Sequence, residues 1–388
     1  MTTVSPLVET VQRIAAKVAA VHANDVDTNS RFPIETITAL KEARLMSAFI
    51  PKELGGLGCG MIELARMCEA LAHHCSSSAM VFAMHQIQVA CLVRHAKDAP
   101  FFRDYLRELV QNQNLIASVT SETGIGGEMR TSNCAVQREG ERFTLYKDAS
   151  TISYGAQADD LLVTARRGPD SPPNDQSLIL VRKADYTLER NGSWDTMGMR
   201  GTCSPPFKMT SSGNVSQIME TPFADIASQT MVPVSHVLWA NVWLGNASAA
   251  VSKARAFVRS AARAKPGVTP PSALRLAEVF SMLQTMIANV HDVANECEAL
   301  MTHPESSLDV LSSLSFALKM NNVKVATSTG ITDIVHRCLL ICGIMGYKNG
   351  TKYSMGMHLR DALSAALMVS NDRIFGTNAA MLLVLKDD

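Results

Sequence analysis

The sequence predicts a mainly α-helical chain with an antiparallel sheet or small barrel at its middle. Three observations carry that expectation. Residues 7–115, and again those after about 232, place apolar side chains at helical spacing. Between them, from about 116 to 226, short β-branched or aromatic runs alternate with glycine and proline breaks. No helical pattern separates those runs, so a doubly wound dinucleotide fold is not expected despite the glycines. The chain divides into 1–115 (helical), 116–231 (β) and 232–388 (helical), and 388 residues are enough for units with cores of their own.

The elements follow in order. Leu7, Val11, Ile14, Val18 and Val21 mark a first helix, and Ile37, Leu40 and Leu45 a second after Pro33. A helix stops and the chain turns at Phe49-Ile-Pro-Lys-Glu-Leu-Gly-Gly-Leu-Gly58. Met61–Leu71 and Ser76–Leu92 are further helices, the latter poor enough in charge to be buried on most sides. His73 and His74 lie between them with no third ligand at helical spacing, so they read as a helix-end pair and no metal is expected. Strands are expected at Cys134–Gln137, Phe143–Lys147, Asp160–Ala165, Leu178–Val181 and Thr187–Glu189. The C-terminal helices are Val237–Ser260, Ser272–Met301, Leu308–Cys342 and Arg360–Leu385. In the first of these, Gly245, Ala247, Ala249 and Ala250 permit close helix packing.

Composition removes several classes of function. Hydrophobic residues make up 47% and charged residues 19%, which is globular rather than disordered. Lys+Arg and Asp+Glu both number 36, so no basic stripe points to nucleic acid. Nine cysteines without a Cys-x-x-Cys pair read as buried free thiols in a reducing cytoplasm. The N-terminus shows no basic region followed by an apolar one. The late apolar run is broken by Arg360, Asp361, Asn371, Asp372 and Arg373, so no membrane span is expected; with the balanced charge, no nucleic-acid partner is expected either.

The chemistry is expected in two stretches. Ser118-Val-Thr-Ser-Glu-Thr-Gly-Ile-Gly-Gly-Glu128 and Ala149-Ser-Thr-Ile-Ser-Tyr-Gly-Ala-Gln-Ala-Asp159 are hydroxyl-rich and glycine-spaced. Glycine lets a backbone approach a flat ligand, and hydroxyls donate to ring carbonyls and ring nitrogens. Two such loops at neighbouring strand ends suit a planar cofactor.

These residues resemble the acyl-CoA dehydrogenase superfamily of flavoproteins along nearly the whole chain. Pro51 through Gly58 looks like the family's Pro-x-x-x-Gly-Gly-x-Gly turn, and Ser121 through Glu128 is similar to its Thr-Glu-Pro-x-x-Gly-Ser-Asp flavin loop. Thr151-Ile-Ser153 matches its Trp-Ile-Thr strand, and Gly198-Met-Arg200 its Gly-x-Arg turn. Gly343-Ile-Met-Gly-Tyr347 and Arg360-Asp-Ala362 match two late elements. The resemblance implies an N-terminal helical domain, a central β-barrel, a C-terminal four-helix bundle and a homotetramer. It implies FAD, with FMN as the other option, held by Val119, Thr120, Ser121, Gly126, Gly127, Thr151, Ile152, Ser153, Arg263, Gly343 and Gly346.

The catalytic base departs from the pattern. The glutamate that abstracts the α-proton in the family falls here at Val369, and the other position some members use falls at Ser235 beside His236. Asp372, three residues on, and His236 are the substitute candidates, while Glu122 aligns with a glutamate that is structural in the family. The expected activity is dehydrogenation of an acyl thioester on CoA or an acyl-carrier protein, with hydride passing to flavin N5. The alternative is a two-component monooxygenase using reduced flavin and oxygen. The implied partners are a small-molecule substrate and an electron-transfer flavoprotein or flavin reductase.

Overall fold

The computed structural model describes residues 5–125, 128–302 and 304–386. The N-terminal helices are α1 (Pro6–Ile14), α2 (Ala20–Thr28), α3 (Ile34–Glu42), α4 (Met61–Ala72), α5 (Ser76–His95) and α6 (Pro100–Asn112). Ser5 caps α1 by accepting from the Leu7 N–H, ahead of a proline in the first turn. His73 closes α4, as a helix-end residue would.

The middle of the chain carries β1 (Ile116–Val119), β2 (Gln137–Glu139), β3 (Arg142–Ala149), β4 (Asp160–Arg166), β5 (Gln176–Val181), β6 (Tyr186–Arg190) and β7 (Phe207–Asn214). They form two open sheets, β1-β4-β5 and β2-β3-β7-β6, where a central barrel was expected. A barrel needs its outer strands to bond each other, and these sheets keep their edges. One pair also departs from the antiparallel expectation, because β1 runs parallel to β4. Helix α5 covers the free side of β1, where the Ile116 N–H donates to His85 Nδ1 at 3.0 Å and His85 Nε2 sits 2.8 Å from the Met46 carbonyl. Burial holds the His85 pKa down at about 4, in keeping with a neutral ring that accepts at one nitrogen and donates at the other.

The C-terminal helices are α7 (Phe223–Ile226), α8 (Val232–Ala264), α9 (Ser272–Thr302), α10 (Pro304–Leu311), α11 (Leu314–Cys342), α12 (Ile344–Tyr347), α13 (Gly356–Ser364) and α14 (Asn371–Leu382). Helix α8 is the axis of the molecule, packing against α4, α5, α9 and α11. Gly245 makes the α4 contact possible, since a Cβ there would come within 2.3 Å of the Glu69 carbonyl oxygen. Among the described residues, helices α5 and α11 are long and apolar enough to cross a membrane, but 94% of the apolar window of α5 is buried inside the protein.

The single helix expected over Arg360–Leu385 is two helices. Val369 and Ser370 adopt left-handed backbone angles, φ +55° and +41°, which no α-helix contains. Asp372 therefore does not stand one turn along a common helix from Val369, because α14 begins only at Asn371.

Candidate functional site

The hydroxyl-rich stretches meet where the two sheets abut. β1 ends at buried Val119, and the chain leaves as half-buried Thr120 and Ser121. β3 ends at Ala149 in the other sheet and leads to half-buried Thr151. Thr151 Oγ1 donates to Ser121 Oγ at 3.2 Å, and the Thr123 N–H donates to the Asp148 carbonyl at 2.9 Å. Ile152 is fully buried and anchors the second stretch. Ser153 accepts from Ser204 Oγ at 2.9 Å. Tyr154 follows with φ +44°, its hydroxyl donating to the Ile116 carbonyl at 3.1 Å, so the loop after β3 is tied to the start of β1.

Glu122 fixes the first stretch from below. Its carboxylate accepts from Ser132 Oγ (2.8 Å), the Asn133 N–H (3.1 Å) and the Cys134 N–H (2.8 Å), and lies 3.5 Å from Lys147 Nζ. Lys147 is also buried and donates to the Thr164 carbonyl at 2.6 Å. Burial pushes the Lys147 pKa down, against the opposing pull of the neighbouring acids. Glu122 is thus committed to holding backbone rather than to proton transfer.

Gly126 and Gly127 lie outside the described residues. Arg263 is exposed near the end of α8, Gly343 is exposed at φ +54° where α11 ends, and Gly346 is buried one turn on. Among the described residues no hydrogen bond or ion pair joins these three to Ser121, Thr151 or Ser153.

Two stretches that the sequence treats as separate motifs are one clamp. The Met199 N–H donates to Asp361 Oδ1 at 2.7 Å. Gly198 is pressed on the Arg360 carbonyl, where an added Cβ would come within 2.1 Å. Arg200 donates to the Asp27 carbonyl at 2.8 Å, and Arg360 pairs with the Asp27 carboxylate. The N-terminal helices, the β region and α13 therefore converge on these residues. Burial raises the Asp361 pKa to about 7.

The two candidate bases lie in different surroundings. Asp372 is exposed in the first turn of α14. His236 is buried in α8, with Nδ1 3.0 Å from the Met320 carbonyl and its ring 6.0 Å from that of Trp239. Burial holds the His236 pKa at about 4, which keeps the ring neutral at neutral pH but makes it a weak base. Val369 sits half-buried in the turn between α13 and α14.

Sequence reasoning missed Lys324. It is buried in α11 and donates to the Ala365 carbonyl (3.2 Å) and to Asn371 Oδ1 (2.6 Å), bridging the turn that holds Val369 and Ser370. Asn371 is held in turn by Ser328 at 3.1 Å. The ammonium lies 5.7 Å from the Trp243 ring, and burial lowers its pKa to about 8. The available signal was its spacing: Lys324 stands one turn after buried Met320 and one before buried Ser328.

Residues 4–113 match the family of acyl-CoA dehydrogenase N-terminal domains. The chain is 24% identical over 196 residues to cyclohex-1-ene-1-carbonyl-CoA dehydrogenase of Syntrophus aciditrophicus, a match covering 50% of this chain and 47% of that protein. It thus spans about half the length of the curated relatives it matches first. Among solved structures it resembles FMN-bound TdsC, a dibenzothiophene monooxygenase of Paenibacillus sp. A11-2, at a TM-score of 0.84 and 18% identity, covering 98% of this chain and 97% of that one. A nitrososynthase of Micromonospora carbonacea var. africana superposes at a TM-score of 0.80 with 18% identity, covering 98% of each chain. The N-terminal residues 4–113 thus match an acyl-CoA dehydrogenase domain, and the chain as a whole has an acyl-CoA dehydrogenase-like fold.

Proposed function

We propose that this chain is a flavin-dependent oxidoreductase whose flavin ring lies against Thr120, Ser121, Thr151 and Ser153. The observation that carries the reading is the Thr151–Ser121 contact, which brings the hydroxyl loops of two sheets to one place. The donor set fits a flavin: Ser121 and Ser153 each accept a hydrogen bond from within the protein, which leaves their own hydrogens for a ring's acceptor atoms. Both FAD and FMN present those atoms. Arg263, Gly343 and Gly346 are the residues the family resemblance sets aside for the rest of the cofactor.

Between the two reactions, the arrangement of bases favours oxygenation. Dehydrogenation of an acyl thioester needs a base on the face of the acyl chain opposite the flavin. Val369 cannot accept a proton, Asp372 is exposed, and His236 is held to a weakly basic neutral ring. A reduced flavin supplied by a separate reductase provides the electrons that activate oxygen, and no α-proton base is then required. The likeness to TdsC and to the nitrososynthase supports this reading, while the sequence relatives support acyl-thioester dehydrogenation as the second one. A homotetramer suits the exposed Leu340, Ile344, Tyr347, Leu367 and Leu383, which assembly would cover.

The test is a direct one. Flavin-loaded protein is mixed without oxygen with acyl-CoAs of several chain lengths while the visible flavin band is followed. Bleaching by any of them would overturn the oxygenase reading. An unchanged band, followed by oxygen transfer to dibenzothiophene, the compound in the name of the similar TdsC, when a flavin reductase and NADH are added, is the expected result.

A further inference from the structure

A line of hydroxyls runs from the Gly198–Arg200 turn to the proposed ring site. Thr202 and Ser204 are buried, with their hydroxyl oxygens 2.9 Å apart, and Ser204 Oγ lies 2.9 Å from Ser153 Oγ. Direction can be assigned along it. In the Ser204–Ser153 contact Ser204 is the donor, whereas in the Thr202–Ser204 contact either oxygen can donate. Ser204 has one hydrogen; its oxygen also reaches the Thr202 carbonyl at 3.3 Å, but that carbonyl already accepts from the Tyr154 N–H at 2.8 Å, so the hydrogen goes to the nearer Ser153 and Ser204 accepts from Thr202. The Met199 carbonyl, which Thr202 Oγ1 also reaches at 2.9 Å, remains satisfied by the Thr202 N–H at 3.1 Å. Ser153 is then an acceptor toward the interior, and its own hydrogen has no partner among the described residues. Ser153 is half-buried, so its side chain is partly open to a ligand.

We propose that Ser204 is a positioning residue that orients Ser153 as an outward hydrogen donor to the flavin ring. The inference rests on the flavin reading of the preceding subsection. Ser204 does not touch the cofactor. It removes the alternative in which Ser153 turns its hydrogen inward, and so lowers the reorganisation that binding requires. The hydroxyl line also links the ring site to the Met199–Asp361 clamp, because the Thr202 N–H donates to the carbonyl of Met199, whose own N–H donates to Asp361.

The experiment is a double-mutant cycle read by flavin binding. The apoprotein and its S204A, S204T, S153A and S153A/S204A variants are titrated with FMN and with FAD. Dissociation constants come from flavin fluorescence, and the position of the visible bands is recorded in parallel. Thermal melts of the apoproteins confirm that each is folded. The expected result is that S204A weakens binding about fivefold, the worth of one net hydrogen bond, and shifts the bands. S204T should restore both, and S204A should have no further effect in the S153A background. Unchanged affinity and spectrum in S204A overturn the proposal while leaving the flavin reading intact. Equal losses in S204A and S204T, or additive losses with S153A, overturn it in favour of simple packing. A wild-type protein that binds neither flavin overturns the reading and the proposal together.

Discussion

Replacing Lys324 with methionine isolates the cost of a buried ammonium. The side chain is fully buried, and burial alone lowers its pKa from 10.5 to about 8. That gap corresponds to about 3 kcal/mol of desolvation carried by the folded state while the lysine is charged. The sign follows from proton counting. Between pH 8 and 10.5 the unfolded chain holds a proton that the folded chain has released, so this group makes stability rise with pH in that window. Below pH 8 both states are protonated and the full penalty applies. Buried thiols such as Cys68, Cys91 and Cys297, whose pKa values burial pushes up, act in the same range with the opposite sign. A single pH–stability curve would therefore mix the two, and the difference between wild type and K324M cancels the thiols. At pH 7 that difference should be modest, because the variant sheds the penalty but strands the Ala365 carbonyl and part of Asn371, at about 1–3 kcal/mol. From pH 8 to 9.5 the advantage of wild type over K324M should grow by about 2 kcal/mol. Urea denaturation at half-unit intervals of pH measures it. A difference that stays flat across the window would refute the assignment of Lys324 as a buried amine titrating near neutrality.

Three further outcomes follow from contacts already described. Gly245→Ala should destabilise by about 1–3 kcal/mol, because its Cβ forces α8 off the Glu69 carbonyl; a denaturant midpoint equal to wild type would show that α4 yields without cost. Glu122→Gln leaves Lys147 buried without a countercharge and should cost about 3 kcal/mol in the same assay. Asp361→Asn keeps an acceptor for the Met199 N–H but removes a carboxyl whose pKa burial raises from 3.8 to about 7. The folded state holds that proton in the window where the unfolded chain has lost it, so wild type loses this contribution as pH rises from about 4 through 7. The variant should gain on wild type over the same range in thermal melts and hold its advantage at pH 8.

What the sequence made legible depended on whether physics acted locally. Helix faces repeat every turn, so α5, α8 and α9 could be read from Ser76, Val237 and Ser272 onward. The strands β4 and β5 are apolar on both faces and stood out, whereas β7 is built of Phe207-Lys-Met-Thr-Ser-Ser-Gly-Asn214 and reads as a loop. Yet β7 is central to its sheet, pairing with β3 and β6. Its burial alternates at Phe207, Met209, Ser211 and Gly213, and two of those carry no apolar side chain to reveal it. Sheet closure and the parallel β1–β4 pair are long-range choices that no local spacing encodes.

The site shows the same division in sharper form. Hydroxyl-rich loops advertise themselves by composition, so Ser121, Thr151 and Ser153 stand out in the sequence. Lys324 and Ser204 do not, because each acts through a neighbour distant in sequence: Lys324 through Asn371, Ser204 through Ser153. The turn at Val369 and Ser370 is the most telling case. A β-branched residue in the left-handed region is costly, and such strain persists only where surrounding contacts over-determine it. Lys324, Asn371 and Ser328 supply those contacts. Side chains of α11 thus hold the turn at the position where the family resemblance places a carboxylate and this chain has valine, which accepts no proton. A proton-inert side chain in a braced turn is compatible with the proposed oxygenase reading, in which no α-proton is removed.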